Sequence, residues 1–259
     1  MNNHSPDVTM AGRACVHFSL LPPSMRVTYT LTLLVLGIGY IFAMIHVLDS
    51  HAGRDGNPML SVNDLIIAYS GSHSDTRLEI ALKGPMANML PPEERARVFA
   101  WVRGGAAKDD YQTIVRPIVE QRCMACHDGS NPHIPNLKGY ENLMTKVDLD
   151  TGMDVFTLVR VSHIHLFGIT FIFYIMSVIF CHAQLRPAWI KCLIIGLPFL
   201  AIIADIFSWY LTKAWPPFAW VLMISGALMG LSFAIEWIVS MYQMWFYNSA
   251  PAITDTLEP

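Results

Sequence analysis

Apolar residues fall in four long runs, and one extended polar segment separates the first run from the second. The runs cover roughly Val27–Leu48, Ile164–Leu185, Trp189–Leu211 and Pro217–Phe246. Each meets the length of about 20 residues that a helix needs to cross a hydrocarbon core. The fourth is longer than a perpendicular crossing requires, so it is expected to tilt or to continue past the bilayer. The first lacks the small-residue cleavage site of a removed signal peptide and is expected to stay as an anchor. Within the polar segment, Val98, Phe99, Trp101 and Val102 recur at helical spacing, as do Tyr111, Ile114, Val115, Ile118 and Val119. The pattern predicts an all-α protein in five parts. These are a cytoplasmic N-terminal segment (1–26), a first transmembrane helix (27–48), an outer helical domain (49–160), a three-helix transmembrane domain (161–246) and a cytoplasmic tail (247–259).

Composition supports the membrane assignment, because 53% of residues are hydrophobic and only 14% charged. Twelve of the 17 Lys and Arg residues lie between Arg54 and Arg160. The net charge of −3 and the absence of a basic stripe exclude nucleic acid as a partner class. The remaining basic residues set orientation. Arg13, Arg26, Arg186 and Lys191 flank the first run or join the second to the third, whereas Lys213 alone lies between the third and fourth. The positive-inside rule then places both termini in the cytoplasm and the 49–160 domain outside a bacterial inner membrane. Cysteines agree with that orientation. Cys15, Cys181 and Cys192 fall on the reducing side, and only Cys123 and Cys126 lie on the outer side.

That outer pair belongs to Cys123-Met124-Ala125-Cys126-His127, the C-x-x-C-H pattern of covalent haem attachment. Two thiols two residues apart suit thioethers to the two vinyl groups of one porphyrin, and the adjacent imidazole suits the iron. A zinc ribbon needs a second ligand pair, which the outer segment lacks. A redox C-x-x-C pair needs no following histidine.

The surroundings of the motif resemble class I cytochromes c. A helix ending at Val119 leads into it, and Gly84-Pro85-Met86 resembles that family's Gly-x-Met loop for the sixth iron ligand. Pro91-Pro92-Glu93-Glu94 then opens a helix through Val98 and Val102, with the acids in the first turn, where the helix dipole favours them. The order differs from the family: ligand loop and last helix precede the haem motif and are joined to the leading helix by Gly104-Gly105-Ala106-Ala107. The resemblance, over roughly residues 58–145, implies a circularly permuted cytochrome c domain inserted between the first two transmembrane helices. It implies haem c on Cys123 and Cys126, His127 as proximal ligand and Met86 as sixth ligand, with Met89, Met144, Met153 and His133 as alternatives.

Further chemistry is expected at the outer membrane face. His46 and His51 close the first run, His163 and His165 open the second, and Asp205 lies inside the third. His163 and His165 diverge by about 200° on a helix, so only one of them faces any given partner. Three roles fit these residues: interfacial hydrogen bonding, bis-His ligation of a b-type haem by His46 with His163 or His165, or a quinol or metal site in which Asp205 accepts protons. Asp205 qualifies because an ionisable group inside a span is costly. At the opposite face, His182 and Glu236 are expected at similar depth, where they are able to pair. The function these features imply is electron relay from a membrane donor, quinol or a partner enzyme, to a periplasmic or membrane acceptor. The alternatives are an accessory haem subunit of a larger membrane oxidoreductase or monooxygenase, and a haem-based redox sensor. No hydrolytic or nucleotide motif argues for stand-alone substrate chemistry.

Overall fold

The computed structural model describes residues 16–132 and 134–247, so Arg13, Cys15, His133 and most of the C-terminal tail lie outside the described residues. Among the described residues there is no strand, only an isolated bridge between Thr76 and Leu149. Four helices are long and apolar enough to cross a membrane: α1 (Pro23–His51), α9 (Val155–Phe180), α10 (Ala188–Ala214) and α11 (Ala219–Trp245), the last preceded by a 3₁₀ turn at Pro216–Phe218. The protein is all-helical and multi-pass. Between α1 and α9 lie short helices: α2 (Val62–Ser70), α3 (Arg77–Lys83), α4 (Pro92–Arg103), α5 (Lys108–Asp110), α6 (Arg116–Arg122), α7 (Met124–His127) and α8 (Tyr140–Met144).

The spans depart from their expected bounds, α9 most of all. α9 starts at Val155 and ends at Phe180, where the apolar run predicts Ile164–Leu185. Its start therefore lies inside the segment assigned to the outer domain, and Ser162-His163-Ile164-His165 sits beyond the first two turns instead of opening the helix. The cause is a cap. Asp154 accepts from the Thr157 backbone N–H at 2.9 Å and from its hydroxyl at 2.6 Å, satisfying first-turn donors that would otherwise be orphaned. Those bonds hold the Asp154 carboxyl below the usual carboxylate range. α1 likewise continues to His51, past the expected Leu48.

The chain divides into two compact units, and each long helix contributes residues to both. One unit comprises residues 42–163 and 204–224. Its core gathers Leu78, Leu82 and Leu90 with Val98, Trp101 and Val102 of α4, Tyr111 and Val115, Ile118 and Val119 of α6, and Leu137 and Leu143. Ligand-loop segment, α4, α6 and the stretch after the haem motif thus share one apolar core. The turn after α4 closes with Ala106 N–H on Trp101 O at 2.9 Å and Gly105 N–H on Val102 O at 3.2 Å, the paired bonds of a Schellman ending. The Trp101 indole donates to Ala107 O at 2.9 Å, and the Tyr140 hydroxyl donates to Ala106 O at 3.0 Å. Gly104-Gly105-Ala106-Ala107 is therefore a structured link.

Between α5 and α6 the helix widens into a π turn at Tyr111–Val115. Pro117 has no N–H to return to the carbonyl four residues earlier, and its ring needs space there. The wider turn supplies it.

In the other unit, formed by residues up to 41, 164–203 and 225 onward, Gly37 admits the Trp237 indole, which donates to Leu33 O at 2.7 Å. Tyr40 stacks on Phe233 with ring centroids 4.3 Å apart. Leu33, Phe173, Met176, Phe180 and Met244 are buried around them. The expected pairing of His182 with Glu236 does not form. His182 lies two residues past the end of α9 and its Nδ1 reaches Val16 O at 2.7 Å, whereas Glu236 meets Ser177, inside α9.

Candidate haem-attachment site

α6 ends at Arg122 with Cys123 as its C-cap, and Cys123 in turn opens the single helical turn α7. The N–H groups of Cys126 and His127 both bond to Cys123 O, at 3.1 and 2.9 Å. Residues three and four apart on a helical turn share a face, so Cys123, Cys126 and His127 are presented together. The motif's spacing is the spacing of that turn. Neither thiol is in a disulfide. Cys123 packs against the core while Cys126 is exposed. Burial pushes the Cys123 thiol up, opposite to the lowered thiol of a reactive redox pair.

His127 is fixed by the loop that follows it. Its Nδ1 lies 2.7 Å from Pro135 O, and a carbonyl only accepts, so Nδ1 carries the proton and Nε2 keeps its lone pair. The Leu137 N–H donates to His127 O at 3.0 Å, closing the same loop on the backbone. Gly129 makes the reversal with φ of +91°, where a Cβ would come 2.7 Å from Asn136 Nδ2. Ligating histidines are commonly oriented by a carbonyl on the other ring nitrogen. The residues therefore fit a covalently held haem: one imidazole with Nδ1 engaged, for the iron, and two thiols free of disulfides, for the vinyl groups, on one turn. Pro135 was not among the residues singled out from sequence. No short-range pattern announces it, because its carbonyl acts through an eight-residue loop.

Met86 precedes, and Met89 ends, a 3₁₀ turn at Ala87–Met89. The two methionines are three residues apart on this one short turn. Both are exposed, Met86 at 37% and Met89 at 58%. Met144 instead packs, half-buried, against the same core as Cys123. Met153 donates its N–H to Ala68 O at 3.0 Å. α4 is clamped to α6 by a two-pronged Arg122–Glu94 pair at 2.9 and 3.0 Å, and the Arg122 guanidinium holds the Glu94 carboxyl low.

The histidines near the membrane boundary separate. His46 is exposed and its Nδ1 lies 3.3 Å from Ser50 Oγ. His163 is exposed, and no hydrogen bond or ring contact joins it to His46; His165 belongs to the other unit. Among the described residues no group of three or more His, Cys, Asp or Glu side chains converges to hold a metal ion.

Asp205 has different company from that expected. It is 8% exposed and accepts from the Trp209 side chain. Trp209 stacks on Tyr69 at 5.7 Å, and Tyr69 stacks on His51 at 6.4 Å. Tyr69 is held at the end of α2 by a close backbone crossing, where a Cβ on Gly71 would meet Asp150 O at 2.4 Å and one on Gly152 would meet Tyr69 O at 2.3 Å. Burial, reinforced by the Asp205 charge, pushes the Tyr69 phenol well above its ordinary value. Tyr69 escaped the sequence reading because its partner Trp209 is distant in the chain.

Residues 152–251 match the family model Aq_1264_TM, a transmembrane helical domain. The match covers α9, α10 and α11. No curated protein and no solved structure matches the chain.

Proposed function

We propose that this chain is a membrane-anchored c-type cytochrome that relays electrons. The observation that carries the proposal is the His127 Nδ1–Pro135 O bond of 2.7 Å, because it prepares Nε2 as a ligand on the face that carries both thiols. In this proposal the Cys123 and Cys126 thiols each add across a porphyrin vinyl group. Sulfur bonds one vinyl carbon and the thiol hydrogen ends on the other. His127 Nε2 would hold the haem iron together with the Met86 sulfur, or with that of Met89 in its place. A haem held there supplies reversible one-electron transfer. The shared core of the ligand-loop segment, α4 and α6 supports a permuted class I cytochrome c domain over roughly residues 58–145.

Arg186 between α9 and α10, and Lys191 in the first turn of α10, support a cytoplasmic placement of that loop. The C-x-x-C-H domain and Lys213 are then periplasmic. The four spans keep the haem at the membrane, so a quinol or a neighbouring membrane enzyme is the donor. A periplasmic cytochrome or a membrane oxidase is the acceptor. The most apolar 18-residue stretch of α1 is only 6% buried. That open face supports a second role, as the haem-carrying subunit of a larger complex.

Purification of the full chain in mild detergent, followed by addition of a short-chain quinol to the oxidised protein, separates the two roles. Reduction of the haem by quinol in the lone chain supports the relay. Stable co-purification with a membrane oxidoreductase, with no reduction of the lone chain by quinol, supports the subunit role.

A further inference from the structure

α11 carries a carboxylic acid deep in the apolar unit. Glu236 is fully buried, and its only hydrogen bond is a long one, accepted at Oε1 from the Ser177 hydroxyl of α9 at 3.4 Å. Oε2 has no partner. One turn further along the same helix, Ser240 is also fully buried and its Oγ has no partner either. Residues four apart lie side by side on a helix face, so two orphaned oxygens share one small region of the bundle. Buried polar atoms are almost always satisfied, by protein or by an ordered water.

Among the described residues, no ion pair joins the carboxyl to a cation. Lys191 of α10 donates to Ala183 O at 2.9 Å, and Arg26 of α1 donates to Met244 O and lies over the Trp245 ring. His182, beyond the end of α9, is engaged with Val16 O and lies 3.5 Å from the Tyr29 hydroxyl of α1. Tyr40 of α1 stacks on Phe233. α11 itself has no other ionisable group on this stretch. An isolated carboxylate ion at such a position is costly and neutralises instead.

We propose that Glu236 is a proton-binding site inside the transmembrane unit, holding the neutral acid with one bound water between its Oε2 and Ser240 Oγ. The acid O–H donates to the water, the water donates to Ser240 Oγ, and Ser177 donates to Oε1. Both orphaned oxygens are then satisfied. The proposal is independent of haem attachment. It assigns a place where a proton is stored within the membrane segment.

Infrared spectroscopy of the full chain in lipid nanodiscs tests it near neutral pH. The carbonyl stretch of a protonated carboxylic acid should appear in the wild-type spectrum and be missing in Glu236→Gln. In Ser240→Ala, which removes only a hydroxyl, the same band should persist and move to higher frequency as its hydrogen bonding weakens. Replacing sodium by choline should leave the band unchanged. Superimposable wild-type and Glu236→Gln spectra would show an ionised Glu236 and overturn the proposal. A band that appears only when sodium is withdrawn would assign the site to a metal cation and overturn it equally. Should Glu236→Gln fail to insert, an unmoved band in Ser240→Ala still removes the bridging water.

Discussion

The Nδ1 of His127 donates to the carbonyl oxygen of Pro135 across 2.7 Å, eight residues along the chain. This bond decides which ring nitrogen is available for ligation, and the loop that makes it depends on Gly129.

Gly129→Ala is predicted to disturb that loop. A side chain at φ of +91° costs about 1–2 kcal/mol, and the added Cβ also meets Asn136. Thermal unfolding of the haem-loaded variant should show a lower midpoint, with a measurable change in haem potential because the imidazole loses its anchor. An unchanged melt and potential would mean that the loop does not constrain His127.

The sixth ligand is tested by Met86→Ala, Met89→Ala and the double variant. Met ligation gives a weak charge-transfer band in the red region of the oxidised spectrum, and Met/His ligation raises the potential. The double variant should lose the band and shift to lower potential, while Met144→Ala keeps both. Loss with Met144→Ala and retention in the double variant would place the ligand after the haem motif.

The two methionines also show how far sequence reasoning reached. The four spans, the helix that leads into Cys123 and the acids at the start of α4 were legible because each rests on a local pattern: an apolar run, a helical spacing, Pro-Pro-Glu-Glu. Asp154-x-x-Thr157, which sets the true start of α9, was also local, but the apolar run that continues to Leu185 masked it. What depended on distant chain segments was not legible. Pro135 reaching His127, Tyr69 between His51 and Trp209, and Asp205 bonding Trp209 rather than a histidine all arise from tertiary packing. The choice between Met86 and Met89 stays open even in the fold, since one 3₁₀ turn serves both.

Alkaline pH should reveal the buried Tyr69. Its phenol is raised in the folded protein, mainly by burial, above its ordinary value of about 10. Between that value and the higher folded one, unfolding releases a proton, so stability is fully present below about pH 10 and falls as pH rises above it. Tyr69→Phe should show a shallower loss of melting temperature across that range than the wild type. Parallel curves would place Tyr69 in a solvated environment.

Orientation is open to a thiol reagent that does not cross membranes. Cys192 is exposed in the second turn of α10, and its labelling in permeabilised cells is the control that shows the thiol is reachable. It should stay unlabelled until the cells are permeabilised. Labelling in sealed cells would invert the topology and place the Cys123-x-x-Cys126-His127 domain in the cytoplasm.

The central claim is covalent haem on Cys123 and Cys126, and haem staining of a denaturing gel reads it most directly. The wild-type chain, produced in a host with cytochrome c maturation, should stain at its own mass and give a c-type pyridine haemochrome spectrum. The Cys123→Ser/Cys126→Ser double variant, detected at equal abundance by antibody, should give neither signal. A double variant that still stains, or a wild-type chain that inserts into the membrane but never acquires covalent haem, would contradict the account.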